Sequence, residues 1–107
     1  MTKLDEKKCA PCASGMIPFT TKEIKNYLTQ IDSWSVVENK KIEKEFVFKN
    51  FARALLFANQ VGAIAEEENH HPDIFINSYK KVKLTLSTHA IGGLSANDFI
   101  LAAKIDR

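Results

Sequence analysis

The apolar positions of this chain change their period from segment to segment, and each change marks an element. Ile24, Tyr27, Leu28 and Ile31 recur at i, i+3, i+4 and i+7, the stripe of an amphipathic helix. Thr20 and Glu23 fit a capping box ahead of it, and Phe19 with Ile24 fits a hydrophobic staple. Asp32-Ser33 ends that helix. Trp34 to Val37 then reads as a short strand and Asn39-Lys40 as a turn. Ile42, Lys44, Phe46 and Phe48 alternate with Glu43, Glu45 and Val47, which completes a β-hairpin. Asn50 is placed to cap the longest helix, predicted over residues 51–68. Phe51, Ala54, Leu55, Ala58, Val61, Gly62 and Ala65 form its stripe. Phe57 and Ile64 widen the stripe, so the helix is expected to touch both the sheet and something else, with a subunit interface as one candidate.

Beyond Pro72, Ile74 and Ile76 suggest a third strand. Val82, Leu84, Leu86 and Thr88 alternate with Lys81, Lys83, Thr85 and Ser87 in a fourth, with His89 at its end. Gly92-Gly93 makes a turn, Ser95 caps a last helix, and Phe99, Ala102 and Ala103 supply its buried side. Residues 1–18 lack periodicity and read as an N-terminal arm ahead of a single domain, residues 19–107. The order α-β-β-α-β-β-α predicts an α+β fold: a four-stranded antiparallel sheet with helices packed on one face. The other face is left for a site or a partner.

Composition narrows the function classes. A chain of 107 residues has room for one core, and 45% hydrophobic with 26% charged content is that of an ordinary globular domain. A net charge of +2 is too small to argue for a nucleic-acid surface or a membrane. No apolar run approaches the ~20 residues of a membrane span, and the N-terminus has no signal-peptide core, so a cytoplasmic location is expected. Phosphate-binding loops and nucleophile elbows are missing from the sequence. Cys9 and Cys12 form a Cys-Ala-Pro-Cys element in the arm. Two thiolates are half of a structural zinc site, and no strand precedes them as in a redox motif. A spectator or simply packed tail is the first expectation, with metal binding, shared between subunits or with histidine, or redox chemistry as alternatives.

The candidate chemistry lies in the three histidines, His70, His71 and His89. Histidine is the side chain whose unperturbed pKa lies near neutrality, so a group of them suggests proton transfer or a metal. Pro72 disfavours helical backbone at His71, which puts the pair in a helix-to-strand turn. Adjacent side chains diverge, and no His-x-His or His-x-x-x-His spacing is present to hold one ion. Structural roles remain open, but acid/base work on an organic ligand is the preferred reading. Glu66, Glu67 and Glu68 precede the pair near the negative pole of the long helix, where carboxylates are unfavourable. They read either as a solvated run or as one carboxylate retained for the histidines.

The order Glu66, His70-His71-Pro72, Tyr79, His89, Asp98 resembles the signature of the pterin-4a-carbinolamine dehydratases. The run Leu84-Thr85-Leu86-Ser87-Thr88-His89 is similar to that family's fourth strand, and Trp34, Phe46-Val47-Phe48 and Asn50-Phe51 match upstream. The resemblance spans about residues 20–106. It implies a lyase that removes water from 4a-hydroxytetrahydropterin to give quinonoid dihydropterin, recycling the pterin of aromatic amino-acid hydroxylases. It implies no metal and no further cofactor. It also implies His70 and His89 as acids, His71 as a substrate holder and base, and Glu66 as the carboxylate that orients a histidine. Pro72, Thr88 and Trp34 are implied as substrate contacts, though core packing is the commoner role for a lone Trp; Tyr79 is read first as a packing residue and Asp98 as a helix cap that supports the site indirectly. The expected partners are the small-molecule pterin and other copies of the chain, as a homodimer or homotetramer, with no nucleic acid and no membrane. The alternative is a non-catalytic pterin-binding, scaffold or dimerisation protein of the same fold.

Overall fold

The computed structural model describes residues 4–9 and 17–106, and its elements follow the predicted order. Helix α1 (Thr21–Leu28) opens on the expected capping box, with Thr20 Oγ1 accepting from Glu23 N–H at 3.3 Å and Glu23 returning an acceptor to Thr20 N–H at 3.0 Å. It stops before Ile31. Thr29 donates its hydroxyl back to the Asn26 carbonyl at 2.6 Å, a local bond that competes with helix continuation. Strands β1 (Ser35–Val37) and β2 (Lys41–Val47) form the first hairpin. Helix α2 (Phe51–Glu68) is capped by Asn50, which accepts from Arg53 N–H at 2.9 Å. Strands β3 (Asp73–Asn77) and β4 (Lys81–Leu86) form the second hairpin, and α3 (Ala96–Asp106) closes the chain.

The two hairpins join through β2 and β4 into one antiparallel sheet of order β1-β2-β4-β3. The register places Val36, Ile42 and Leu86 in one row and Phe46, Val82 and Ile76 in another. Residues two apart share a face, so these rows point at the helices. Ile42, Val82, Leu84 and Leu86 are fully buried there with Ala54, Val61, Phe99 and Leu101. Each large side chain contributes roughly 1.5–3 kcal/mol by leaving water. The opposite sheet face carries Glu43 and Lys83, paired at 3.8 Å, and exposed Phe75 and Val47.

One placement differs from an arm that stands ahead of the domain. Leu4 is buried in the core, and the 3-10 turn Leu4–Glu6 packs on α3, so this part of the N-terminal arm is docked. Cys12 lies outside the described residues. Pro18 is laid across Gly93, where a Cβ would stand 2.7 Å from the proline Cβ, which explains the second glycine of the Gly92-Gly93 turn. Among the described residues no helix is long and apolar enough to cross a membrane.

Candidate active site

The sequence ends α2 with a left-handed residue. Asn69 has φ 53°, and His70 N–H bonds the Ala65 carbonyl at 3.2 Å, the pattern of a Schellman C-cap. The chain reverses there, and Pro72 sends it into β3. The two adjacent histidines consequently go to different places.

His70 turns inward. Its Nε2 stands 2.6 Å from Asp98 Oδ1, and the two residues are 8% and 0% exposed. Asp98 sits three residues after Ser95, so its Oδ2 accepts from Ser95 N–H at 3.0 Å as the return half of a capping box. The same oxygen accepts from Thr88 Oγ1 at 2.8 Å, and Thr88 Oγ1 also meets Ser95 Oγ at 2.8 Å. A carboxylate only accepts, so the hydrogen of this pair belongs to His70 Nε2. The network is complete: among the described residues no buried polar side-chain atom lacks a hydrogen-bond partner.

His71 stays outside. Its Nε2 lies 2.9 Å from Glu66 Oε1, with the side chains 53% and 80% exposed. Of the carboxylates at the end of α2, Glu66 is therefore the one that faces a histidine. His89 follows Thr88 at the end of β4 and opens a 3-10 turn, His89–Ile91. It is exposed and lines an open cleft of about 240 Å³ with Ser87, Thr88, Gly92 and the turn residues Glu38 and Lys40. That is just under the roughly 300–1,000 Å³ usual for ligand sites. Thr88 is the link: it lines the cleft and also donates to Asp98, the partner of His70.

The remaining residues are placed as follows. Pro72 is half-buried beside the pair and is not among the cleft residues. Trp34 takes the packing role rather than that of a substrate contact. It is 7% exposed, and its indole N–H donates to Asp106 Oδ2 at 2.9 Å. Asp106 lies eight residues beyond Asp98 on α3, about 12 Å along the axis at 1.5 Å per residue. Trp34 thus packs edge-on against Phe46 at the other end of α3 and holds the first hairpin to it. Tyr79 is a correction, for it is 61% exposed in the β3–β4 turn, where φ is 49° at both Ser78 and Tyr79. The role of Asp98 as His70's direct partner, and the part taken by Ser95, were not read from the sequence. The available signal was the Ser95–Asp98 capping box, which commits one carboxylate oxygen and leaves the other for a partner. Among the described residues no group of three or more His, Cys, Asp and Glu side chains is arranged to hold a metal ion.

Comparison with known proteins adds the family context. Residues 17–107 match the family described as pterin 4 alpha carbinolamine dehydratase. A protein of Alkaliphilus metalliredigens named "Putative pterin-4-alpha-carbinolamine dehydratase" is 49% identical over 108 aligned positions, covering 100% of this chain and 96% of its own. One of Rubrobacter xylanophilus with the same name is 43% identical, covering 100% and 99%. Among solved structures, a transcriptional coactivator/pterin dehydratase from Brucella melitensis superimposes with a TM-score of 0.77 at 34% identity, over 83% of this chain and 95% of its own. A pterin dehydratase-like protein identified as a RuBisCO assembly factor in the alpha-carboxysome gives a TM-score of 0.59 at 26% identity, over 69% and 86%.

Proposed function

The chain belongs to the pterin 4 alpha carbinolamine dehydratase family, and from that premise we propose that it removes water from a 4a-hydroxytetrahydropterin by histidine acid/base catalysis. The observation that carries this reading is the Thr88 link between the cleft and the buried His70–Asp98 pair, with His89 on the cleft wall. In the elimination, the C4a–O bond breaks with its electron pair on oxygen. An acid protonates that oxygen, which leaves as water, and a base takes a proton from a ring nitrogen. Histidine suits both tasks near neutral pH. His89 is exposed to the cleft and is assigned the departing hydroxyl. His70, held by Asp98, presents Nδ1 as the second proton-transfer atom. His71, oriented by Glu66, binds the ring and shares the role of base. The physiological setting assigned to this activity is pterin recycling beside an aromatic amino-acid hydroxylase.

The test is dehydration of a synthetic 4a-hydroxytetrahydropterin followed by absorbance, with and without protein, after exhaustive chelation. The expected result is acceleration that chelation does not remove. Activity that vanishes on chelation and returns with zinc would overturn the metal-free mechanism. One observation favours the second reading, a scaffold: Phe51, Leu55 and Leu56 are 49%, 41% and 52% exposed on α2. No acceleration on any pterin, together with tight binding of a protein partner, would select it.

The same exposed residues lead to the expectation of a homodimer or homotetramer, since a chain of this size buries a modest core alone. Light scattering at micromolar concentration checks it, and a monomer refutes it. The cysteines are expected to be dispensable for turnover, because the elimination needs no thiolate. Cys9→Ser with Cys12→Ser should keep most of kcat, and a loss of about 10²-fold with the fold intact, the size of an acid/base contribution, would assign the arm to the chemistry.

A further inference from the structure

Glu68 is a buried carboxylate in a costly place. Its side chain is 3% exposed, and it ends α2, where the helix dipole opposes negative charge. Burying such a group is unfavourable unless it is paired and hydrogen-bonded. Both compensations come from elsewhere in the chain. Glu68 Oε1 accepts from Cys9 N–H at 2.8 Å, and Oε2 faces Lys104 Nζ of α3 at 3.7 Å. Lys104 also donates to the Asp5 carbonyl at 3.0 Å. The docked segment Leu4–Cys9 reaches the start of α3 as well, with Cys9 Sγ 3.6 Å from the Asn97 carbonyl.

These contacts stand on either side of the His70–Asp98 pair. Glu68 is two residues before His70, and Asn97 immediately precedes Asp98. We propose that Glu68 is a positioning residue: with Lys104 and the docked Leu4–Cys9 segment it clamps the end of α2 to α3 and fixes the distance across which His70 meets Asp98. This rests on the dehydratase reading of the site. Glu68 touches no reacting atom in this account and acts through the helix end that carries the histidine pair. The carboxylates of the acidic run then divide their work, Glu66 orienting His71 and Glu68 setting the backbone beneath His70.

The experiment uses the full chain and compares Glu68→Ala with Val61→Ala, a core truncation on the same helix away from the histidines. Each is measured by melting curve, by kcat and KM for dehydration at a temperature where both are folded, and by the imidazole NMR signals of His70 and His71. Glu68→Ala is expected to lower kcat about tenfold with the smaller change in KM, since misplacement by 1 Å costs on the order of 10²-fold. It is also expected to move the His70 signals. Val61→Ala should lower the melting temperature while leaving kcat and those signals in place, and Glu68→Gln should recover part of kcat by keeping the acceptor for Cys9 N–H. Wild-type kcat and unmoved signals in Glu68→Ala would overturn the proposal, as would equal losses of kcat in the two alanine variants. Should Glu68→Ala fail to fold, Lys104→Met carries the same comparison with the same two outcomes. An inactive wild type instead refutes the dehydratase reading, and then unmoved His70 signals in Glu68→Ala still overturn the clamp.

Discussion

Asp98→Ala is expected to lose on the order of 3 kcal/mol of stability, because it strands buried hydrogen-bond donors. Asp98 is fully buried and accepts from three donors: His70 Nε2, Thr88 Oγ1 and Ser95 N–H. Alanine leaves His70 Nε2 and Ser95 N–H without that acceptor, at roughly 1–3 kcal/mol for each orphaned group, while Thr88 Oγ1 keeps Ser95 Oγ as a partner. The side-chain acceptor for Ser95 N–H ahead of α3 is lost with it. Asp98→Asn keeps the volume and one acceptor oxygen, so it should fall between wild type and alanine in urea denaturation. Both variants should lose turnover, because His70 loses the acceptor that fixes its orientation. An Asp98→Ala protein as stable as wild type would show that the network contributes nothing net.

The second large effect concerns the histidines themselves. General acid/base groups typically contribute ~10²–10⁴-fold, whereas a residue that positions substrate acts mainly through KM. His70→Ala and His89→Ala are therefore expected to lower kcat by that factor, and His71→Ala to raise KM as well. Their stabilities should part company. His89 and His71 are exposed, and their removal should leave the melting temperature nearly unchanged. A pocket histidine would be equally dispensable to the fold, and the sequence suggests that role for His70 too. The structure buries His70 against Asp98, so His70→Ala strands a buried carboxylate and should destabilise visibly. Steady-state kinetics beside melting curves on the three variants separate these outcomes.

Local signals in the sequence were enough for most of the fold. α2 runs over the predicted residues because a long apolar period is bracketed by Asn50 and by Asn69 in the left-handed conformation. Strict alternation in β4 placed Val82, Leu84 and Leu86 on one face, and all three are buried. What escaped was tertiary. Leu4 stands alone among Asp5, Glu6, Lys7 and Lys8, so no period announces that it enters the core. His70 and Asp98 are 28 residues apart, and only the packing of α2 against α3 brings them to 2.6 Å. Glu68 and Glu66 are alike in sequence, yet one is buried on Lys104 and the other exposed against His71. Trp34 shows how two readings part: a lone aromatic near a recognisable motif suits a substrate contact or core packing, and its polar edge is committed to Asp106.

The central claim, that histidines at this site transfer the protons of dehydration, meets its most direct test in His89→Ala. This variant alters an exposed cleft residue outside the buried network, so its fold is expected to persist. The measurement is kcat for loss of 4a-hydroxytetrahydropterin at saturating substrate, corrected for the spontaneous reaction. A fall of ~10²–10⁴-fold with an unchanged melting curve is the predicted result. A His89→Ala protein that turns over like wild type would contradict the assignment of the departing hydroxyl to His89, and the same outcome in His70→Ala and His71→Ala would contradict histidine catalysis at this site altogether.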